Sequence, residues 1–317
     1  MSLAIQADDV RAAAQRIQPL ARRTPVLTSD AFNSEAGVSV FFKCENLQRG
    51  GAFKIRGASN LILSLPPDAL ARGIVTYSSG NHAQAVAIAA KHVGAKATIV
   101  MPEDAPRSKM EATRSHGPTI VTYNRQTENR EAIAAHILKE TGGTVVPPFD
   151  HPMIMAGQGT AAMELLEETG PLDAVITPVG GGGLISGTAT IAKAIHPAIR
   201  VFAGEPEGAN DTYLSVQSGE RVTVAHPDTI ADGLRSPRPG ELTFPVVREK
   251  VERIILVTDQ EIRETVKFLL LHLKILVEAS GAVPAAAVLF RKIPAGIRSI
   301  GVVLSGGNVD FEELAKY

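Results

Sequence analysis

The chain has a single cysteine and no excess of either charge. Cys44 is the one cysteine among 317 residues, which excludes a framework of intrachain disulfides and favours a reducing compartment. Lysine and arginine number 32 against 33 aspartates and glutamates. Proteins that bind nucleic acid usually carry a basic patch or stripe, so this balance argues against a nucleic-acid partner.

Long apolar runs are also missing. The longest, FLLLHLKILV at 268–277, is interrupted by a histidine and a lysine and is too short for a helix that spans a bilayer. The first residues, MSLAIQADDVRAAAQRI, predict an amphipathic helix that carries acids, which differs from a signal or transit peptide. The last predicted strand lies close to the C-terminus, so we expect no appended regulatory domain. Together these features predict a soluble cytoplasmic protein.

Short β-rich runs alternate with alanine-rich helical stretches along the chain. Such alternation is typical of βαβ units and a mostly parallel sheet. Because the runs lack polar alternation, both faces of the sheet are expected to be covered. The predicted fold class is therefore α/β, and the prolines of VVPPFDHP at 145–152 mark the expected crossing between two lobes. The predicted strands cover 40–44, 74–78, 97–101, 119–123, 174–179, 200–206, 253–258 and 300–307.

Four consecutive glycines form the strongest single motif. In PVGGGGLISG at 178–187 they follow a predicted strand and precede a predicted helix, an arrangement that presents backbone N–H groups to an anion. The motif is neither the dinucleotide-binding G-x-G-x-x-G pattern nor a P-loop. A tight turn that needs positive φ is the plain alternative. Four glycines exceed what such a turn requires, which favours a phosphate site.

Three further turns carry polar groups. TYSSGNHAQAVA at 76–87 offers hydroxyls and an amide at a helix start, which also suits ordinary N-capping. VVLSGGNVD at 302–310 ends a strand, and on its own it would be a simple glycine-rich turn. GGAFKIRGA at 50–58 encloses Lys54. Ligands of α/β proteins bind at the carboxyl ends of strands, so we expect these turns to meet at one ligand.

The four motifs together resemble a known family. GAFKIRGA, SSGNHAQA, GGGGLISG and SGGN, in this order and spacing, are similar to the fold-type II pyridoxal-phosphate (PLP) enzymes, and closest to their serine/threonine dehydratase and serine racemase branch. The resemblance extends from RTPVLTS at 23–29 to the SGGN motif. It implies a two-lobed, three-layer, parallel-sheet fold like that of tryptophan synthase β. Residues 1–68 and 150–317 would form a large PLP-binding domain, and 69–149 a small mobile domain.

The resemblance also implies roles for residues at the cofactor. Lys54 matches the lysine that forms a Schiff base with PLP and removes the substrate's α-proton, and burial in an apolar pocket would favour its neutral amine. Ser305 matches the hydroxyl that faces the pyridine nitrogen. Because this hydroxyl is neutral, it cannot hold a proton there as an aspartate would, which should favour β-elimination over transamination. The remaining cofactor contacts would be Phe53, Asn81, Gly180, Gly181, Gly182, Gly183, Leu184 and Gly233. Ala52 departs from the family, since many members carry serine there.

Substrate contacts follow from the same resemblance. The α-carboxylate would lie among Ser78, Ser79, Asn81 and His82. Ser79 also matches a second acid/base on the face opposite Lys54. Arg130 and Ser236 align with further substrate positions, although a solvated helix arginine is an equal reading of Arg130.

A divalent-cation site is predicted in GEPEGANDTYLS at 204–215. Glu205 and Asp211 flank a turn in which Ala209 can offer a carbonyl, and oxygen ligands suit Mg²⁺ or Ca²⁺. The alternative is a helix start capped by Asn210 or Asp211. The family branch has the same acid–carbonyl–acid pattern, which favours a structural Mg²⁺, Ca²⁺ or Mn²⁺.

The resemblance implies an enzyme, and several activities stay open. The leading one is a PLP-dependent dehydratase that converts serine, threonine or threo-3-hydroxyaspartate into a 2-oxo acid and ammonia. The alternative is an amino-acid racemase with Lys54 and Ser79 as opposed bases. A β-replacement synthase and a PLP-binding protein without turnover are further alternatives. The expected partners are a small amino-acid substrate and a second copy in a homodimer, with no membrane contact.

Overall fold

The computed structural model describes residues 3–78, 80–105 and 107–317. Within these residues the strands form a six-stranded and a four-stranded sheet. The strands are β1 (Val26–Leu27), β2 (Ser39–Cys44), β3 (Ile74–Tyr77), β4 (Ala97–Pro102), β5 (Thr119–Tyr123), β6 (Thr144–Val145), β7 (Ala174–Pro178), β8 (Arg200–Pro206), β9 (Arg253–Val257) and β10 (Ser299–Leu304).

The larger sheet has the strand order β1-β2-β10-β7-β8-β9, and the smaller one has the order β5-β4-β3-β6. All pairings are parallel except that of β1 with β2. The predicted α/β class and its parallel sheets are therefore confirmed. The predicted strands match β2 to β5 and β7 to β9 within one residue, and the prediction at 300–307 overruns the end of β10 by three residues. The two-residue strands β1 and β6 were missed, because so short a stretch carries no periodic pattern.

Helices surround both sheets. In the described residues they are α1 (Ala7–Arg16), α2 (Asp30–Ala36), α3 (Lys54–Ile62), α4 (Pro67–Arg72), α5 (Asn81–His92), α6 (Arg107–Arg114), α7 (Arg130–Thr141), α8 (Pro152–Thr169), α9 (Gly183–Ile195), α10 (Asp211–Ser218), α11 (Thr243–Lys250), α12 (Asp259–Phe268), α13 (Ala279–Leu289) and α14 (Phe311–Leu314). No helix in this part of the chain combines the length and apolar character needed to span a membrane.

Both faces of the large sheet are buried, as the apolar strands predict. Along β7, Ala174 and Ile176 pack into the cluster that includes α12 and α13. The intervening Val175 packs into a separate cluster with Ile185 of α9. Successive side chains of a strand point to opposite faces, so these clusters are the two outer layers of a three-layer arrangement.

Close glycine contacts join α3, α8 and α9. A Cβ on Gly157 of α8 would lie 2.6 Å from the carbonyl oxygen of Arg56 in α3. A Cβ on Gly159 would lie 2.7 Å from the carbonyl oxygen of Gly187 in α9. The helix that begins at Lys54 is therefore held at a fixed spacing from the helix that begins in the glycine loop.

A buried ion network lies behind the first turn of α3. Arg56 is fully buried and donates paired hydrogen bonds to Glu45, at 2.7 and 2.8 Å, and to Glu164, at 2.7 and 2.8 Å. The Nζ of Lys43 lies 2.7 Å from Glu164. Two cations thus balance two carboxylates, and charges buried in a network are tolerated only when they are paired in this way. The network anchors α3 two residues after Lys54.

The segment 146–151 connects the two sheets. It runs from the end of β6 to the start of α8, so it coincides with the crossing predicted at 145–152. The division into a large domain, 1–68 and 150–317, and a mobile small domain, 69–149, stays a prediction.

Candidate active site

A cavity of about 320 Å³ lies where the carboxyl ends of strands from both sheets meet. Ser78 follows β3, Gly180 follows β7 and Ser305 follows β10, and Lys54 enters from the start of α3. The predicted site residues that line the cavity are Phe53, Lys54, Ser78, Asn81, His82, Arg130, Gly180, Gly181, Gly182, Gly183, Leu184, Gly233, Ser236 and Ser305. Ser79, predicted as a second acid/base, lies outside the described residues.

Lys54 is the lysine of the glycine-flanked motif at 50–58. Its Nζ donates a hydrogen bond to the Pro148 carbonyl at 2.8 Å and lies 5.1 Å from the centre of the Phe53 ring. Burial lowers the pKa of Lys54 to about 8, although the carboxylate of Glu278 opposes the shift. The amine is therefore neutral, and nucleophilic, at a lower pH than a free lysine.

The glycine loop opposite Lys54 leaves no room for side chains. Gly182 has a left-handed backbone with φ of 94°, and a Cβ there would lie 2.7 Å from the Oγ1 of Thr243. A Cβ on Gly181 would overlap the ring of Phe149. Gly182 precedes α9 without a side-chain cap. The first N–H groups of the helix are thus available to an anion.

Asn81 begins α5 and is held by an acid that the sequence analysis missed. Its Nδ2 donates to the Oε1 of Glu278 at 2.7 Å, and its Oδ1 accepts from Asn308 at 2.9 Å. The Oε2 of Glu278 is buried, and none of the residues that the structure describes forms a hydrogen bond with it. Burial raises the pKa of Glu278 to about 7, and Asp232 adds to the rise while Lys109 opposes it. The cavity therefore contains a carboxyl group that is partly protonated near neutral pH.

His82 is a buried, neutral group at the base of the cavity. Its Nε2 lies 2.9 Å from the Val146 carbonyl, which fixes the proton on that nitrogen. Burial lowers the pKa of His82 to about 3, and the positive charge of Lys54 contributes. The Nδ1 is buried and has no hydrogen-bond partner within the described residues. With the proton on Nε2, this nitrogen can accept a hydrogen bond.

Ser305 and Gly233 stand on the wall formed by the large sheet. The carbonyl of Ser305 accepts from the N–H of Phe53 at 3.0 Å, which ties this turn to the Lys54 turn. The neighbouring Gly306 pairs with Ala52 in an isolated β-bridge. The N–H of Gly233 donates to the Oγ of Ser280 at 2.9 Å. These bonds lock the turns that surround the Lys54 amine.

Arg130 and Ser236 lie at the rim. The guanidinium of Arg130 lies 5.4 Å from the centre of the Tyr77 ring, and its Nε donates to Glu131 at 2.9 Å. The hydroxyl of Ser236 donates to the Arg238 carbonyl at 3.0 Å. Arg130 thus faces the cavity although it is also a helix arginine, so the two readings left open by the sequence do not exclude each other.

The predicted metal residues lie close to the glycine loop but outside the cavity. The carboxylate of Glu205 accepts from the N–H groups of Thr212 and Tyr213 at 2.9 and 2.8 Å. Both carboxylate oxygens of Asp211 are buried and lack a hydrogen-bond partner in the part of the chain that the structure describes. Burial raises the pKa of Glu205 to about 8, with repulsion from Asp211 adding to it, and burial raises that of Asp211 to about 7.

Glu205 and Asp211 are buried close together, and no cationic side chain among the described residues pairs with them. Buried carboxylates of this kind are expected to be neutralised or to bind a cation. Among the described residues, no group of three or more histidine, cysteine, aspartate or glutamate side chains is arranged to hold a metal. Any cation here would therefore take its other ligands from carbonyls, such as that of Ala209, or from water.

Lys109 and Asp232 are two further cavity residues that sequence reasoning missed. They form an ion pair across the cavity, from α6 to the turn at 232–234. Lys109 stands in no distinctive motif, and 123 residues separate it from Asp232. Glu278 did leave a signal, because it is a lone acid within the apolar stretch 275–289.

Comparisons with known proteins agree with this geometry. The family model described as "Pyridoxal-phosphate dependent enzyme" matches residues 17–306. The chain is 46% identical over 307 residues to the L-threo-3-hydroxyaspartate ammonia-lyase of Saccharomyces cerevisiae, and this alignment covers 97% of this chain and 94% of that protein. It is also 46% identical over 310 residues to the serine racemase of Schizosaccharomyces pombe, covering 98% of this chain and 96% of that protein.

The structural match is equally extensive. The solved structure of maize serine racemase superposes with a TM-score of 0.96 at 44% identity, covering 99% of this chain and 96% of that one. The sequence therefore identified the fold and the cofactor class correctly. The chain belongs to the family of pyridoxal-phosphate-dependent enzymes.

Proposed function

We propose that the protein is an ammonia-lyase that removes water from a β-hydroxy amino acid and releases a 2-oxo acid and ammonia. The observation that carries the proposal is the buried amine of Lys54, with its lowered pKa, facing a side-chain-free glycine loop across one cavity. The ammonia-lyase relative at 46% identity supports the same reaction class.

The cavity residues fit pyridoxal phosphate. The glycines at 180–183 leave backbone space that a Cβ would fill, and the uncapped start of α9 offers N–H groups to a phosphate. Phe53 would pack beside the ring, and Asn81 would donate to its 3'-oxygen. When bound, the cofactor supplies an electron sink for the bond that breaks at the substrate's α-carbon.

Lys54 would hold the cofactor covalently and, once released by the substrate, remove the α-proton. The hydrogen bond from its Nζ to the Pro148 carbonyl orients the amine, and burial keeps it neutral enough to accept a proton. Ser305 would present a neutral hydroxyl to the ring nitrogen. A hydroxyl stabilises positive charge there less than a carboxylate would, which favours elimination over transamination.

The remaining cavity residues would bind the amino acid. Ser78 and the N–H groups at the start of α5 would supply donors for the α-carboxylate. The Nδ1 of the neutral His82 could accept a hydrogen bond from the ammonium. Arg130 lies on the outer side, where it can pair with a second carboxylate. This favours threo-3-hydroxyaspartate as one substrate beside serine and threonine.

A racemase is the second candidate, and the serine racemase relative at 46% identity favours it. Racemisation needs an acid/base on each face of the α-carbon. Lys54 would serve one face and Ser79 the other. Product chirality, compared with ammonia release from the same sample, separates the two activities, which one active site can combine.

We also propose a divalent cation, Mg²⁺ or Ca²⁺ by ligand type, at Glu205, Asp211 and the Ala209 carbonyl. The unpartnered oxygens of Asp211 beside the raised pKa of Glu205 support it. Thr212, which follows Asp211, donates from its hydroxyl to the Gly180 carbonyl at 3.4 Å. The cation would thus stabilise the glycine loop and take no part in bond breaking.

Ammonia release tests the proposed function. The purified holoenzyme is assayed with both enantiomers of serine and threonine and with threo-3-hydroxyaspartate, with and without EDTA. Release from at least one of them is expected, and absence of release from all of them overturns the proposal. The homodimer and the cytoplasmic location remain predictions, and sedimentation equilibrium tests the former.

A further inference from the structure

An ion pair crosses the mouth of the cavity between the two sheets. The Nζ of Lys109 forms an ion pair with the Oδ2 of Asp232. Lys109 lies on α6, which connects β4 and β5 of the small sheet, whereas Asp232 lies in the turn at 232–234, between β8 and β9 of the large sheet. The pair therefore joins one wall of the cavity to the other.

Lys109 is packed in place on its side of the cavity. Its side chain is 13% exposed, and its Cδ would lie 3.6 Å from a Cβ on Gly80, in the turn that carries the predicted substrate residues. Burial lowers the pKa of Lys109, but Asp232, Glu278 and Asp310 raise it by more. The side chain is thus a charged group that covers the turn before α5.

Asp232 is fixed to the opposite wall. The next residue, Gly233, donates its N–H to Ser280 at 2.9 Å. The Cα of Leu234 would lie 3.3 Å from a Cβ on Gly180 of the glycine loop. Any movement of Asp232 away from the cavity would therefore disturb the loop that is proposed to hold the cofactor phosphate.

We infer that the Lys109–Asp232 pair is a closing contact, which holds Gly80 and the start of α5 against the glycine-loop wall and encloses the bound amino acid. Lys109 is then a positioning residue, because it acts through the turn and not on the reacting atoms. The expected change in KM rests on the proposed function. The expected change in cofactor release depends on the same closure but can be measured without turnover.

The test compares Lys109→Met, which keeps the aliphatic packing and removes the charge, with Asp232→Asn and the double variant. Arg107→Met is the matched control, because Arg107 is on the same helix, is 92% exposed and pairs with Glu111 in solvent. We expect KM for the amino acid and the rate of cofactor release from the holoenzyme to rise about tenfold in each single variant, a change equivalent to about 1.4 kcal/mol. The value of kcat should change by less than about threefold.

Coupling between the partners gives a second readout. Because either single change already removes the pair, the double variant should be no worse than the single ones. Lys109→Arg keeps the positive charge, so its KM and its rate of cofactor release should stay close to those of the wild type. Added salt should raise KM of the wild type toward that of Lys109→Met, since screening weakens a partly exposed pair.

Three results would overturn the inference. The first is a rate of cofactor release and a KM in Lys109→Met that equal those of Arg107→Met. The second is strictly additive effects of the two substitutions in the double variant. The third is a loss confined to kcat, which would make Lys109 a catalytic group. If the wild type releases ammonia from no substrate, the proposed function fails. The rate of cofactor release still decides whether the pair closes the cavity.

Discussion

The Nζ of Lys54 donates to the carbonyl oxygen of Pro148 at 2.8 Å. Pro148 belongs to the segment that connects the two sheets, and Lys54 begins the helix anchored by the buried Arg56 network. The amine at the centre of the site is thus held where the two sheets join. A movement of one sheet relative to the other would change the orientation of this amine.

Attachment of pyridoxal phosphate to the apoprotein should depend on pH through Lys54. Attachment would require the neutral amine of Lys54, and burial lowers the pKa of Lys54 from 10.5 to about 8. The attachment rate, followed by absorbance of the bound cofactor, should therefore rise up to about pH 8 and then level off. Because Glu278 raises this pKa, the midpoint in Glu278→Gln should fall below that of the wild type. A rate that keeps rising through pH 10 would contradict the assignment.

The left-handed glycine before α9 should be needed for cofactor affinity. Gly182→Ala brings a methyl group against Thr243 and strains a backbone with φ of 94°. We expect the cofactor Kd, measured by fluorescence titration of the apoprotein, to rise by about 100-fold or more. This corresponds to about 2.7 kcal/mol or more.

Gly296→Ala is the control for backbone strain alone. Gly296 has φ of 87° and open space where the Cβ would go, so its substitution costs about 1–2 kcal/mol of stability and should leave the cofactor Kd unchanged. If both substitutions raise the cofactor Kd by the same factor, backbone strain explains the effect at Gly182. Loss of the phosphate cradle would then not be needed to explain it.

Arg130 should matter mainly for a substrate with two carboxylates. Arg130→Gln removes the guanidinium beside Tyr77, and a charge-assisted hydrogen bond to a carboxylate contributes about 1.5–3 kcal/mol. The value of kcat/KM for threo-3-hydroxyaspartate should fall by about 10- to 100-fold, while that for serine changes little. Arg125→Gln, which removes an exposed pair with Asp104, is the matched control. A uniform loss for both substrates would argue against this role.

Divalent cations should stabilise the fold through Asp211. At a hundredfold excess of Mg²⁺ over its Kd the free energy of unfolding rises by about 2.7 kcal/mol, which thermal unfolding with and without EDTA detects as a higher Tm. Asp211→Asn removes one of the two buried charges, so the Mg²⁺ effect should disappear. Glu207→Gln, at an exposed position of the same turn, should keep it. An unchanged Mg²⁺ effect in Asp211→Asn would place the cation elsewhere.

Most of the cofactor side of the site was predictable from sequence, because it consists of short continuous motifs. Gly180 to Leu184 form one loop between β7 and α9, and Lys54 with Phe53 forms another. A glycine run between a strand and a helix indicates an anion site from its local pattern alone. The positions of Lys54 and Phe53 in the site followed from the resemblance of their motif to a known family.

The parts that sequence reasoning missed depend on contacts between distant elements. Glu278 meets Asn81 across 197 residues, and Lys109 meets Asp232 across 123. Nothing in the flanking residues of Lys109 distinguishes it from an exposed helix lysine such as Lys139. Only the packing of α6 over the cavity makes it a partly buried charge, and no local pattern encodes that packing.

Reduction of the holoenzyme with borohydride, followed by peptide mapping, tests the central assignment most directly. Borohydride makes the bond between the cofactor and its lysine permanent, so mass spectrometry can locate it. The account predicts one phosphopyridoxyl group per chain, on Lys54, and none in Lys54→Ala. A label on Lys109, the other lysine of the cavity, or on any further lysine would contradict it.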